Sequence, residues 1–140
     1  MIQPNAFVKI AADGTKLPID SEQWDAVLDE STGLMWAREA VKVTSWAEGE
    51  NAAGKLRTLG FEDWRVPTRR ELLTLVDDTR SGPAIDTTFF PDCPSDWFWT
   101  STSYAGSPAG YAWGIGFFYG NAHCPHHDDD GFVRAVRASQ

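Results

Sequence analysis

One stretch of ten residues, Trp64-Arg65-Val66-Pro67-Thr68-Arg69-Arg70-Glu71-Leu72-Leu73, constrains the fold most because it carries three local instructions at once. Trp64 and Val66 alternate as an extended segment does, and Pro67 biases Val66 away from helix. Thr68 is a natural N-cap. Glu71, three residues on, completes a capping box in which the two side chains satisfy each other's orphan backbone donors. A helix is therefore predicted from about Arg69. Through residue 76 it presents Leu72, Leu73, Leu75 and Val76, a dense apolar face that must lie on something larger than itself. The stretch is a hub of packing rather than of chemistry.

Other elements follow from period and punctuation. Residues 1–23 lack periodicity apart from a short strand at Phe7-Val8-Lys9-Ile10 and a turn at Ala12-Asp13-Gly14, and read as a lead-in segment or edge strand. Residues 24–28 and 34–37 form a hairpin across Asp29-Glu30-Ser31-Thr32-Gly33, the glycine supplying positive φ. Thr44 or Ser45 caps a second helix, with Ser45 and Glu48 again at capping-box spacing. Trp46, Ala53, Leu56 and Leu59 recur at helical intervals, and Gly60 is placed to stop it. Gly49 and Gly54 weaken this helix by up to about 1 kcal/mol each relative to Ala. Residues 77–96 are a turn-rich link, and 97–102, 112–119 and 132–137 read as strands joined by Gly-rich loops. In the last of these, polar and apolar positions do not alternate strictly, which leaves its register open. The sum is one α+β domain spanning residues 1–140.

The chain has 140 residues, 42% of them apolar, enough for a single core without metals or many disulfides. Seven Trp and eight Phe are too many to hide in so small a domain, so some rings should line a surface. Trp24, Trp36, Trp46, Trp64, Trp99 and Trp113 fall in periodic elements and read as core. The net charge of −8 and pI near 4.7 argue against nucleic acid, whose binding rests on Lys and Arg neutralising phosphates. Arg65, Arg69 and Arg70 form the one local basic cluster, read as a solvated helix face. No run approaches the roughly 20 apolar residues of a membrane span, and the first residues do not resemble a signal peptide. The chain is thus expected in the cytoplasm, in a larger assembly such as a virus particle, or as part of a longer secreted protein. Cys93 and Cys124 are either two free thiols or a pair; a pair would contribute on the order of 3 to 4 kcal/mol.

Several segments taken together carry a resemblance: Thr32-Gly33-Leu34-Met35-Trp36, Ser45-Trp46, Gly60-Phe61-Glu62-Asp63-Trp64-Arg65-Val66-Pro67-Thr68, Phe98-Trp99-Thr100-Ser101-Thr102, Ala112-Trp113 and Val133-Arg134-Ala135-Val136-Arg137. Over about residues 24–138 the chain resembles the DUF1566 family, the domain at the C-terminus of the Legionella collagen-like adhesin. That resemblance implies a C-type-lectin-like fold, in which two helices flank a small, twisted antiparallel sheet and long loops display a ligand site. The same fold class includes formylglycine-generating enzymes, whose Arg-Leu-Pro-Thr segment is similar to Arg65-Val66-Pro67-Thr68. It also includes the variable receptor-binding proteins of diversity-generating retroelements. By the resemblance, the tryptophans and the Arg-x-Pro-Thr segment are structural and ligand contact comes from the late loops.

Those loops, residues 101–131, hold the chemistry-bearing candidates. Residues 119–131 contain all three His, Cys124 and Asp128-Asp129-Asp130. Imidazole and thiolate suit zinc, an oxygen cluster suits calcium, and a solvated loop with no cofactor is the third reading. His123-Cys124 and His126-His127 do not reproduce a paired zinc framework. From Ser101 to Val133, Trp113 is the sole residue among Lys, Glu, Gln, Met and Trp. Codons ending in a pyrimidine cannot encode those five, so the segment is what adenine-directed mutagenesis of retroelement-diversified loops would leave; ordinary loop composition is the alternative. Tyr, Ser, Gly and Asn are also what adaptable binding surfaces favour. The expected function is non-enzymatic recognition of a protein or glycan on another cell or particle. Candidate contacts are Tyr104, Tyr111, Phe118, Tyr119, Asn121, His123, His126, His127, Asp128, Asp129 and Asp130. Two alternatives stand beside it: a metal- or cysteine-dependent enzyme of the formylglycine-generating type, and a homotrimeric tip of a fibre or phage tail.

Overall fold

A computed structural model describes residues 6–139, so the first five residues of the lead-in lie outside the described residues. In chain order the elements are β1 (Phe7–Ile10), β2 (Lys16–Leu17), β3 (Ala26–Asp29), β4 (Leu34–Ala37), β5 (Val41–Val43), α1 (Trp46–Gly54), α2 (Arg69–Leu73), β6 (Trp97–Ser103), β7 (Ala112–Gly116), β8 (Asn121–His123), β9 (Gly131–Val133) and β10 (Val136–Ala138). The α+β expectation holds. In place of one small sheet there are two of five strands each, sheet A in the order β10-β4-β3-β1-β2 and sheet B in the order β5-β9-β6-β7-β8. All pairings are antiparallel except β6 with β9.

The β3–β4 hairpin has Asp29 opposite Leu34, and Gly33 takes a φ of 76°. That is a left-handed turn conformation open to glycine at no steric cost. The Phe7–Ile10 strand forms as expected but is not an edge. It lies between β3 and β2, and β2 occupies the rim.

The capping box is present in full. Thr68 Oγ1 accepts from the Glu71 N–H at 3.2 Å, and Glu71 Oε1 accepts from the Thr68 N–H at 2.9 Å. Glu71 also receives both terminal nitrogens of Arg65, at 2.7 and 2.8 Å. Around this box the chain clips the two sheets together. Arg65 exchanges two backbone hydrogen bonds with Val136 of β10, and Pro67 O accepts from the Ser101 N–H of β6 at 2.8 Å. Trp64, Val66 and Leu72 are buried behind the clip.

Four boundaries differ from the sequence expectation. Helix α1 stops at Gly54 instead of running to Gly60: Lys55 caps it, Arg57 leaves the helical region at φ −129° and ψ 23°, and Leu59 takes a left-handed φ of 59°. The intervening turn instead packs Leu56 and Leu59 onto the core and lets Thr58 O accept from Trp64 Nε1 at 3.0 Å. Helix α2 ends at Leu73, and Leu75 and Val76 follow in tighter turns bonded to Leu72 O and Leu73 O. Strand β7 ends at Gly116, after which a turn through Gly120 leads into β8, an element the sequence did not suggest. The expected strand over 132–137 is two strands in different sheets. Arg134 and Ala135 carry the chain from β9 in sheet B to β10 in sheet A, which is why strict alternation fails there.

Two apolar clusters bind the sheets. The first joins Val27, Trp36 and Val136 of sheet A to Phe98 and Ile115 of sheet B, with Leu72 of α2 and with Ile85, Phe89 and Phe90 of the 77–96 link. The second joins Ile10, Ala26, Met35 and Ala37 to Val43, Trp99, Ala112 and Val133, with Ala53 of α1. Fully burying one large side chain stabilises by about 1.5–3 kcal/mol, so these clusters supply the main driving force. Trp24, Trp36, Trp64 and Trp99 are buried as expected, whereas Trp46 and Trp113 are half-buried.

Candidate functional site

Sheet B has two faces with different fates. Phe98 and Ile115, a register pair, point into the first cluster. Their neighbours Trp97 and Trp99 point the other way, opposite Gly116 and Gly114. Beyond β7 the same rows continue into β8 as Asn121 and His123. Helix α1 covers only part of this second face, where Gly49 comes so close that a Cβ on it would sit 2.9 Å from Val133. The rest is an open trough of about 280 Å³. Trp97, Trp99 and Gly114 form its floor, and His123, Pro125, Asp129, Asp130 and Gly131 its walls.

A second feature lies where β6 and β7 meet in the 104–111 turn. Tyr104 and Tyr111 are each 39% exposed. Tyr104 stands edge-on to Trp113 at 6.1 Å, and Tyr111 edge-on to His126 at 5.1 Å. The Arg69 guanidinium lies 3.8 Å over the Trp113 ring, so α2 supports the patch from below. A Cβ on Gly106 would fall 2.7 Å from the Tyr104 ring, so a glycine there keeps the tyrosine's seat free.

The eleven sequence candidates separate into groups. Tyr104, Tyr111 and His126 come together in the aromatic patch, and His123, Asp129 and Asp130 in the trough. Phe118 is half-buried with its edge toward Trp97, while Tyr119, 80% exposed, stands outside both. Asn121 is exposed opposite Gly116. His127 is half-buried and stacks on Trp46 at 4.2 Å, and its backbone carbonyl accepts from the Trp46 N–H at 2.9 Å. It belongs to the seam that fastens the loop to α1.

The three Asp also do different things. Asp129 Oδ2 accepts from the His126 N–H at 3.0 Å and holds the turn, Asp130 lies 3.7 Å from Lys42 Nζ, and Asp128 points to solvent 3.5 Å from His126 Nδ1. Each imidazole faces a different ring, His123 facing Trp97, His126 facing Tyr111 and His127 facing Trp46. Among the described residues no group of three His, Cys, Asp or Glu is placed to hold a metal ion.

Cys93 and Cys124 are both free thiols. Burial pushes the Cys93 thiol up, against an opposing pull from Arg134, and desolvation also pushes Cys124 up, against a pull from Arg69. Arg134 is itself 1% exposed. Its guanidinium donates to Ala37 O at 3.0 Å and to Arg38 O, lies over the Phe90 ring, and burial draws its pKa below the ordinary arginine value.

Sequence reasoning missed Trp97, the indole N–H of Trp99, and the glycines at 114, 116 and 131. The signal was present as two period-two patterns, Trp97-x-Trp99 and Gly114-x-Gly116. Only pairing β6 with β7 sets the large side chains beside the empty positions.

Fold and site together define a mixed α+β domain, mostly sheet with two small helices, that carries an exposed loop face of aromatic and acidic groups. A family model described as the Lcl C-terminal domain matches residues 25–137. The chain belongs to that family, the C-terminal domain of the Legionella collagen-like protein. Membership is compatible with an adhesin-like surface module that binds without catalysis. A search of curated proteins returned no match. Among the described residues no helix is long and apolar enough to cross a membrane.

Proposed function

We propose that this domain is a non-enzymatic recognition module that binds a protein or glycan on another cell or particle through its late loops, without a cofactor. The observation that carries the reading is the patch of Tyr104 and Tyr111, exposed at the surface yet held by Trp113, His126 and Arg69. Aromatic anchors fixed in place lose little entropy on binding, and a few of them supply most of an interface's affinity. The resemblance to C-type-lectin-like domains supports the same region, the 104–111 turn and the segments that flank β8, as the ligand-presenting part of the chain. Their restricted alphabet is the one that retroelement-driven variation leaves.

Two features favour binding over turnover. A thiolate nucleophile needs a lowered pKa, and both cysteines are pushed the other way. General-base catalysis needs an imidazole aligned on its nucleophile, and the three histidines are each turned toward a separate ring.

The test is a glycan and cell-surface protein array probed with the purified domain, with and without a chelator. Retention that survives chelation and is lost in Tyr104→Ala and Tyr111→Ala supports the reading. Retention that needs stoichiometric zinc, copper or calcium, or loss of binding with Cys124→Ser alone, overturns it.

A further inference from the structure

Charge is spread unevenly along this chain. From Ser81 to Val133 there is no Lys or Arg, while six Asp fall in the same stretch. Asp86 and Asp92 are paired with Arg80 and Arg38, and Asp96 accepts from the Trp97 N–H at 2.7 Å. Asp128, Asp129 and Asp130 are exposed, and the last two wall the trough on sheet B. The indole that shares this hollow is also set apart. Of the three half-buried tryptophans, Trp46 is covered by His127 and Trp113 by the Arg69 guanidinium, whereas no cation lies over Trp97 among the described residues. The Trp97 ring rests on Gly116, where an added Cβ would fall 3.0 Å from it, and lines the trough beside His123. Lys42 shows that the rim accepts a cation between a carboxylate and a ring. Its Nζ lies 3.7 Å from Asp130 Oδ2 and 5.1 Å from the centre of Phe132.

We infer that the trough receives an arginine side chain from a partner protein. The inference rests on the recognition reading above and narrows its partner to a basic protein surface. A guanidinium is planar, weakly hydrated and always charged, so it stacks on an indole while its N–H donors reach carboxylates. The trough, at about 280 Å³, has room for one such group. Asp129 commits Oδ2 to the His126 N–H and keeps Oδ1, and Asp130 is held only by the exposed Lys42, so both carboxylates can accept. A lysine ammonium is more strongly hydrated and gives up more on leaving water. A sulfated or carboxylated glycan would meet like charge, and a neutral sugar draws hydrogen bonds from the carboxylates without their charge attraction.

The experiment titrates the peptide acetyl-Gly-Arg-Gly-amide into the 15N-labelled protein. It follows the Trp97 indole N–H, assigned through Trp97→Phe, together with the Gly114 and Gly131 amides. The same peptide carrying citrulline, an uncharged isostere, or lysine or glutamate in place of arginine serves as comparison. The arginine peptide shifts the three signals in a saturable way, the lysine peptide binds at least about threefold more weakly, and the other two leave the signals in place. Asp130→Asn weakens the arginine peptide about fivefold, whereas Asp20→Asn, which removes the same charge from an exposed site elsewhere, changes it less than about twofold. The inference is overturned if the citrulline or lysine peptide binds as well as the arginine peptide, if the two aspartate variants lose affinity equally, or if no signal saturates. Array binding that is lost in Tyr104→Ala and Tyr111→Ala while the arginine peptide leaves Trp97 unmoved would sink this site alone. Peptide binding at the trough with no retention anywhere on the array would instead sink the recognition reading.

Discussion

Sheets A and B have five strands each and share both core clusters, yet they spend their side chains differently. Sheet A fills both faces. Val27, Trp36 and Val136 form one buried row, and Met35 with Arg137 another behind it. Two of its buried cations are sealed with partners. Lys9 donates to Ser21 O at 2.7 Å under the Trp24 ring, and Arg137 meets Asp63 at 2.6 Å beneath Phe61. Sheet B fills one face and, under α1, part of the other, where glycines at 114, 116 and 131 leave a hollow beside Trp97. Where every position carries a packed side chain the sheet closes on itself; where alternate positions carry none, the same backbone leaves a hollow.

The largest effect should come from breaking sheet A. Trp36→Ala removes a side chain with no exposure and is expected to cost about 3–5 kcal/mol in denaturant unfolding. Trp97→Ala, at a half-buried ring beside the trough, should cost clearly less. Equal losses at the two tryptophans would erase the division of labour. Next in size is filling the trough: Gly116→Val pushes a methyl-bearing carbon against the Trp97 ring and should cost roughly 1–3 kcal/mol in the same unfolding measurement. A loss below about 0.5 kcal/mol would show that the hollow takes up the added side chain freely.

The clip between the sheets should respond to acid. Arg65, hydrogen-bonded to Glu71, holds the Glu71 carboxyl below its ordinary value of 4.5, with the Thr68 backbone N–H assisting. A folded-state pKa lowered in this way contributes stability above the ordinary value, and the contribution disappears as pH falls through the folded value. Thermal melts should therefore show a decline in midpoint below about pH 4.5. Glu71→Gln should reduce that decline at a cost of about 1 kcal/mol at neutral pH. An unchanged acid profile in the variant would remove the clip from the account. Tyr119→Ser, at the most exposed ring, should change stability by less than about 0.5 kcal/mol in the same melts. A larger loss would place that part of the loop in the frame.

Local chemistry was legible before any tertiary structure. The Thr68–Glu71 box, the Gly33 hairpin and the Phe7–Ile10 strand each depend on residues a few positions apart, and each formed. The second capping pair was legible only in part. Ser45 accepts from the Glu48 N–H at 3.2 Å, but the Glu48 carboxylate turns to Thr44. The periodicity that extended α1 to Leu59 was real as a list of core-facing positions, buried or half-buried, and wrong as a helix, since a turn can pack the same leucines. Composition singled out a stretch of chain for the candidate contacts but not its division into patch, trough and seam. His127 and His126 are adjacent in sequence, yet one stacks on Trp46 and the other meets Tyr111 edge-on.

The sequence by itself determined where helices begin, which turns need glycine, which residues seek burial, and that a late, acidic, aromatic segment would be left at the surface. These are decided by backbone sterics and by side-chain solvation over a few residues. Only the tertiary structure decided that β9 and β10 divide between two sheets around the buried Arg134, and that Gly114 and Gly116 stand opposite Trp99 and Trp97. Cross-strand register is set by the packing of the whole domain, and an empty space is a property of what surrounds it.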